Sequence, residues 1–280
     1  MKYPKRSQYK YAKSRYRIGS WPEYEAGLQR RGNLTVWLSD AALNAWRAPA
    51  SGKPGGQRTY ADIAIEAALT IRMVFNLPLR QTEGFLRSLA QLLELELPIH
   101  VGHLRKPPKN RAWRKLHLAV DASTGEIVAS DLTSRRARDG ARVPVLLEQI
   151  DDPVASVSAD GAYDGMGVYE AAQEKGEGRA VRVLIPPGRN AQLSPRPSAA
   201  LEERHRNIRS IRDLGRRDWH TRSGYSTRSL VENTVFRYKT IIGRRMRSRT
   251  FDGQRVEVQL ASRILNRMTH LGMPDSYRVT

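Results

Sequence analysis

The chain has no cysteine, which excludes a disulfide scaffold, a thiolate metal site and a cysteine nucleophile. Acid is scarce too. Only 28 Asp and Glu stand against 48 Lys and Arg, so the formal net charge is +20 over 280 residues. No apolar run reaches the about 18 residues that a membrane span needs. The charged N-terminus, MKYPKRSQYKYAKSRYR, has no apolar stretch behind it, so a secretory signal is not expected and a cytoplasmic location is. A Gly-rich phosphate loop is also missing, because Gly165-Met166-Gly167 lacks the rest of a dinucleotide fingerprint. There is no internal repeat. What is present is 40% apolar residues, enough for a core in one large domain or two small ones.

The positive charge is patterned. Residues 1–17 hold seven basic residues and no acid, with Tyr3, Tyr9, Tyr11 and Tyr16 between them. Residues 104–115 and 237–249 each hold six basic residues and no acid. A charge this far from zero costs self-repulsion, which a polyanion relieves. Any one cluster reads equally as a solvated face, but three acid-free clusters point to nucleic acid as the partner. Membrane surfaces and ribosomal RNA are the alternative polyanions. Arginine dominates the last cluster, which suits forked phosphate contacts.

Residues 1–20 read as a basic flexible arm. Ser39 or Asp40 is placed to cap a short helix reaching Trp46, and residues 48–58 (APASGKPGGQR) form a Pro/Gly linker. Helical periodicity from Thr59 carries Ile63, Ala67, Thr70, Ile71 and Val74, and a second helix is expected from about Leu79 to Leu95. Residues 21–99 thus form a small helical N-terminal region. After Trp113 the period changes. Residues 116–121 and 126–132 read as a β-hairpin, 141–150 as a helix, 154–160 as a strand, 168–175 as a helix and 181–187 as a strand. This is an α/β pattern with a mixed sheet. The Arg-rich stretch 188–224 reads as a loop or insertion, followed by helices over about 227–242 and 254–268.

Two acids stand out. Asp160 ends an apolar strand and opens a Gly-rich turn (ADGAYDG), where α/β sheets present ligand-binding carboxylates; a turn-forming aspartate is the plainer alternative. Glu232 follows Tyr225 and Arg228 and precedes Lys239. On one helix, at about 100° per residue, these four fall within roughly 60° of each other. Ser229-x-x-Glu232 is also a capping box, and a helix starting at Ser229 would leave only Glu232 and Lys239 on that face. The sequence leaves both open.

The spacing Tyr225-x2-Arg228-x3-Glu232-x6-Lys239 resembles the signature of bacterial insertion-sequence transposases of the DDE type. Residues 111–133, 158–165, 265–272, 21–40 and 77–89 are similar to the same family, so the resemblance covers most of the chain. It implies an RNase H-like mixed sheet flanked by helices over residues 111–280, and DNA strand cleavage and transfer at two Mg²⁺ or Mn²⁺ ions held by carboxylates. On this resemblance Asp160 and Glu232 are the second and third carboxylates, catalytic and metal-binding, and should converge. Tyr225, Arg228 and Lys239 would contact transposon-end DNA, with Arg244 and Arg245 of the C-terminal cluster beside them. The implied partner is double-stranded DNA, both terminal inverted repeats and target, with a homodimer as a further partner, no membrane, and a nucleoid-associated location when DNA is bound.

The chain departs from the family at the first carboxylate. Residues 97–120 contain no Asp or Glu, and the chain reads as internally shortened there, without the first strand of the sheet. Asp121 is the nearest substitute, but it lies at the turn end of its strand. In such a chain either two strand edges stay unpaired, with low solubility, or the strand order changes and the 116–121 strand lies beside the 154–160 strand. His100 and His103 have metal-pair spacing but no acid beside them in sequence. His117, His205, His220 and His270 have no triad partners. Three functions compete: a DDE transposase impaired in this copy; a non-catalytic DNA-binding remnant or inhibitor of transposition; and an RNA- or ribosome-associated basic protein, against which the signature spacing speaks.

Overall fold

The structure is a computed structural model and describes residues 15–100, 113–195 and 198–279. Most of the two basic clusters at 1–17 and 104–115, with Tyr3, Tyr9, Tyr11 and His103, lies outside the described residues. The helical N-terminal region follows its sequence signals. Strand β1 (Arg15–Ile18) leads into helices α1 (Trp21–Arg31), α2 (Leu34–Trp37), α3 (Asp40–Asn44), α4 (Asp62–Val74) and α5 (Leu79–Leu92). Asn33 caps α2 by accepting from the Thr35 N–H at 3.2 Å, and Ser39 caps α3 by accepting from Ala42. The 48–58 linker is pinched at its base, where Ala61 donates to the Trp46 carbonyl and Ala48 to that of Thr59.

The second half runs β2 (Arg114–Val120), β3 (Ile127–Ser134), α6 (Val143–Leu147), β4 (Ser156–Ser158), α7 (Met166–Lys175), β5 (Arg182–Leu184), α8 (Glu202–Ser223), α9 (Ser229–Arg237), α10 (Phe251–Leu271) and β6 (Ser276–Val279). Three expectations need correction. First, the described strands form three two-stranded sheets, β1–β6, β2–β3 and β4–β5, rather than one mixed sheet. The hairpin β2–β3 is antiparallel and β4–β5 is parallel, so both senses of a mixed sheet occur but are not joined. Accordingly the 116–121 strand does not lie hydrogen-bonded beside the 154–160 strand. Second, the end of the stretch read as a flexible arm is ordered: Arg15–Ile18 pairs antiparallel with Ser276–Val279. Third, residues 202–223 of the supposed loop are helical, broken at Gly215, whose φ of +80° suits glycine. The buried side of α8 includes Glu203, His205 and Asn207 beside Ile208, so no apolar stripe announces it.

Both sheets of the second half have their outer edges closed by helix side chains. Asn266 of α10 accepts from the Ile127 N–H at 2.8 Å and donates to the Ile127 carbonyl at 2.9 Å. In β5, Glu203 accepts from the Val183 N–H and Asn207 donates to the Val183 carbonyl at 2.7 Å. Each pair satisfies buried backbone groups that a further strand would otherwise have taken. Among the described residues, no backbone hydrogen bond reaches the second edge of β2 or β4.

The largest core crosses the boundary expected near residue 100. Trp37, Trp46, Ile71 and Leu86 of the N-terminal helices pack with Ile127, Tyr238, Leu260, Ile264 and Leu265. A second cluster joins α6 and α7 to the strand region around β5 through Val143, Tyr169, Ala172, Val181 and Val183. Helix α1 meets the end of α10 at Gly27, where an added Cβ would stand 2.6 Å from the Leu271 carbonyl oxygen. Backbone cannot yield as a flexible side chain can, so Gly27→Ala should destabilise the protein by ~1–3 kcal/mol, measured by denaturant unfolding.

His117 is buried on β2, its Nε2 2.8 Å from the Thr133 hydroxyl. Burial holds its pKa below the ordinary value; Asp139 and Asp131 pull upward, Lys115 and Arg142 downward. The unfolded chain therefore binds this proton more readily. The stability involved is present above about pH 6.5 and declines as the pH falls below it. Thermal unfolding at pH 7 and pH 5 should show this loss, and His117→Gln should reduce it.

Candidate nucleic-acid and carboxylate site

The signature segment is one continuous helical run of three kinds. Tyr225–Arg228 is a 3-10 turn, Ser229–Arg237 is α-helical and Tyr238–Ile242 is π-helical. Ser229 is not an N-cap, since its hydroxyl donates to the Ser226 carbonyl at 2.8 Å. The capping-box start is thus not adopted. The four residues also do not share one uniform α-helical face, because the 3-10 and π turns alter the angular step. Tyr225 points inward and is buried, Arg228 is half-buried, and Glu232 and Lys239 are exposed.

Tyr225 is held by rings from α8. Its ring centroid lies 5.3 Å from that of Trp219 and 4.6 Å from that of His220. Together with Leu184 of β5, Trp219 and Tyr225 form a third core cluster. Arg228 sits 5.8 Å from the Tyr225 ring centroid and donates to Glu232 at 2.6 Å. Burial raises the Tyr225 phenol pKa; Arg228 opposes this, while Asp160 and Glu232 add to it. Burial works against the charge on Arg228, but the Glu232 hydrogen bond and the fields of Tyr225, Glu232 and Asp160 raise its pKa overall. Asp160 and Glu232 therefore act on the same phenol and the same guanidinium. The 3-10 turn packs against β4 and α9 against β2, so the signature segment touches both half-sheets.

Asp160 ends the loop after β4, exposed, and accepts from the Ala162 N–H at 2.9 Å. This is the turn-forming contact anticipated as the plainer role, and it occupies one carboxylate oxygen. Glu232 is engaged by Arg228. Among the described residues no three acidic or histidine side chains converge as metal ligands. The donor set thus falls short of what two divalent ions require, with no third carboxylate to bridge them.

Asp121 does not fill that role. Its carboxylate accepts from Ser123 N at 2.7 Å, Ser123 Oγ at 2.5 Å and Thr124 N at 3.0 Å. The Ser123 and Thr124 hydrogen bonds hold its pKa below the usual carboxylate range. The opposite end of β2 is the one near Asp160: Lys115 lines a groove with Ala162 and Tyr163. Asp121 lies roughly 20 Å along the strand from there, at about 3.3 Å per residue. Besides Glu232, Asp139 shares a neighbour with Asp160, since both act on the Tyr163 phenol, but Asp139 is ion-paired to Lys115 at 2.9 Å.

The C-terminal basic cluster divides by use. Arg237 donates to the Leu265 carbonyl and the Thr269 hydroxyl. Arg247 binds the Arg72 carbonyl and the Asn76 side chain. Both serve the fold. Lys239, Arg244 and Arg245 are exposed and make no ion pair among the described residues. The histidines have structural neighbours: His100 faces Glu83 at 3.7 Å, His205 accepts from the Ser194 N–H, and His270 contacts Glu126 at 2.7 Å. Trp219 and His220 escaped sequence reading because they lie in the stretch taken for a loop; the only signal was an aromatic pair shortly before Tyr225.

Trp219 is 3% exposed and supports Tyr225 directly. Trp219→Ala should cost ~3–5 kcal/mol in denaturant unfolding and should release the signature segment from β5.

No solved structure matches this chain. Two family models, each described as Transposase DDE domain, match residues 29–130 and residues 99–267, the second covering more than half of the chain. With a resemblance that rests on the Tyr225–Lys239 spacing and matches that run across both halves, the chain belongs to the DDE transposase family.

Proposed function

We propose that this DDE transposase family protein binds transposon-end DNA through Arg228, Lys239, Arg244 and Arg245, with the buried Tyr225 supporting Arg228 rather than touching DNA as the sequence suggested, and that strand cleavage and transfer are impaired in it. The supporting observation is the seam between the half-sheets. The outer edges of β3 and β5 are closed by Asn266, Glu203 and Asn207. The second edges of β2 and β4 pair with no strand among the described residues. Two unjoined pairs with unpaired edges support the reading of an RNase H-like sheet that lacks its first strand, the strand that on the family resemblance would have carried the missing carboxylate. That Asp160 and Glu232 act on one phenol and one guanidinium supports reading them as the second and third positions of the triad.

DNA binding needs none of the missing parts. Lys239, Arg244 and Arg245 are uncommitted cations on one short stretch, and backbone phosphates are their natural counterions. A role as a non-catalytic DNA-binding remnant, or as an inhibitor competing for transposon ends, is favoured by one detail: Arg228 already neutralises Glu232. Homodimerisation and the choice of terminal repeat are left to the same experiments.

Purified protein should bind duplex DNA with an affinity that falls steeply with salt, each neutralised phosphate adding ~0.9 to the log–log slope. Lys239→Ala should weaken binding and leave the thermal unfolding curve in place. With end DNA and Mg²⁺ or Mn²⁺, cleavage should not exceed that of Asp160→Ala. Binding indifferent to salt would remove the electrostatic reading. Rapid cleavage abolished by Asp160→Ala would remove the impairment.

A further inference from the structure

An open groove of about 680 Å³ lies between the loop after β3 and the segment joining Asp160 to α7. Its charges do not balance. Lys115 and Asp139 pair at 2.9 Å across one wall. Asp164, on the other wall, is clasped by two nitrogens of Arg204 at 2.9 and 3.1 Å. Asp131, just outside, is taken by Arg142 at 2.7 Å. Each of these three carboxylates is thus neutralised by a partner, and Asp160, beside the groove, is in no ion pair among the described residues. Arg136 and Arg138 also line it, are exposed, and make no ion pair or hydrogen bond among the described residues. Two guanidinium charges are left without counterions.

The opposite wall is built to receive an anion and an apolar body. Helix α7 begins there with no side-chain cap at Gly165 and no acid in its first turn. The Val168 N–H donates to the Gly165 carbonyl at 3.0 Å, and no side chain caps the remaining first N–H groups. A Cβ at Gly165 or Gly167 would meet nothing within 4 Å, so a ligand can approach the backbone closely. Tyr163, Pro144 and the 54%-exposed Met166 supply apolar surface. Fixed cations over an apolar and aromatic floor match the phosphates and sugars of a nucleic-acid strand.

We infer that this groove is a second DNA-backbone site, with phosphates seated between Arg136, Arg138 and the α7 N-terminus. The site rests on the DNA-binding reading above and extends it. It lies beside Asp160 through Ala162 and Tyr163 but shares no residue with the Tyr225–Arg245 surface. DNA passing Asp160 would then be held by this groove as well as by the Arg228–Arg245 segment.

The test uses the full chain and a fluorescent DNA duplex of arbitrary sequence, followed by anisotropy across a salt series. Arg136→Ala/Arg138→Ala should lower the log–log salt slope by roughly 2 and weaken binding about ten-fold at moderate salt. Arg179→Ala/Arg182→Ala removes the same charge outside the groove and should change affinity far less. In the unaltered protein, DNA should protect Arg136 and Arg138 from phenylglyoxal, read by mass spectrometry. This measurement stands even if the double variant folds poorly. Equal losses in both double variants, or modification of Arg136 and Arg138 at the same rate with and without DNA, would overturn the groove alone. The Lys239→Ala effect would then still stand. Unaltered protein that binds no DNA would overturn the groove and the proposed function together.

Discussion

Helix α10 (Phe251–Leu271) is the constraint on which the remaining packing depends. Val258, Ala261 and Leu265 along it are at most 1% exposed. Burying side chains of this size contributes roughly 1.5–3 kcal/mol for each large one. On one side α10 meets α4 and the tryptophans of the N-terminal helices; on another it lies along β3. Its C-terminal end receives α1 at Gly27, and Arg31 donates to the Met268 and Gly272 carbonyls there. Remove α10 and the N-terminal helices lose their contact with the hairpin.

The same helix shows how the protein manages strand edges. A two-stranded sheet has exposed backbone groups on both sides, and an open edge invites aggregation. Here side-chain amides and a carboxylate from helices stand in for a neighbouring strand. Asn266 does this for Ile127, and Glu203 with Asn207 for Val183. The Tyr225–Ile242 run touches both pairs, α9 against β2 and its leading turn against β4. The Tyr225–Lys239 segment therefore also links the two half-sheets. Trp219 and His220 stacked on Tyr225 anchor that link to α8.

Charge is distributed with similar economy. The +20 formal charge suggests a surface uniformly suited to polyanions, but many arginines have structural duties. Arg237, Arg247, Arg204 and Arg142 hold carbonyls or carboxylates. Among the described residues, Lys239, Arg244 and Arg245, in and after the π turn, and Arg136 and Arg138, in the groove, are exposed cations with no such duty. What matters for a DNA partner is this residue of uncommitted charge and not the total.

The family, the hairpin, the helices α4, α5, α7 and α10, and the cap at Ser39 were legible in the sequence. Each depends on local periodicity or on a short motif. The shortage of acid over residues 97–120 was equally legible. Helix α8 was not legible, since its buried face carries Glu203, His205 and Asn207, whose bonds go to a strand distant in sequence. Pairing of β1 with β6 joins the two ends of the chain and leaves no local trace. Which arginines remain free was also beyond the sequence, because an ion pair such as Asp164–Arg204 exists only once the fold brings its partners together. Local pattern determined the elements and the chemistry they could carry. Tertiary contact alone decided how strand edges are closed and which charges are left for a ligand.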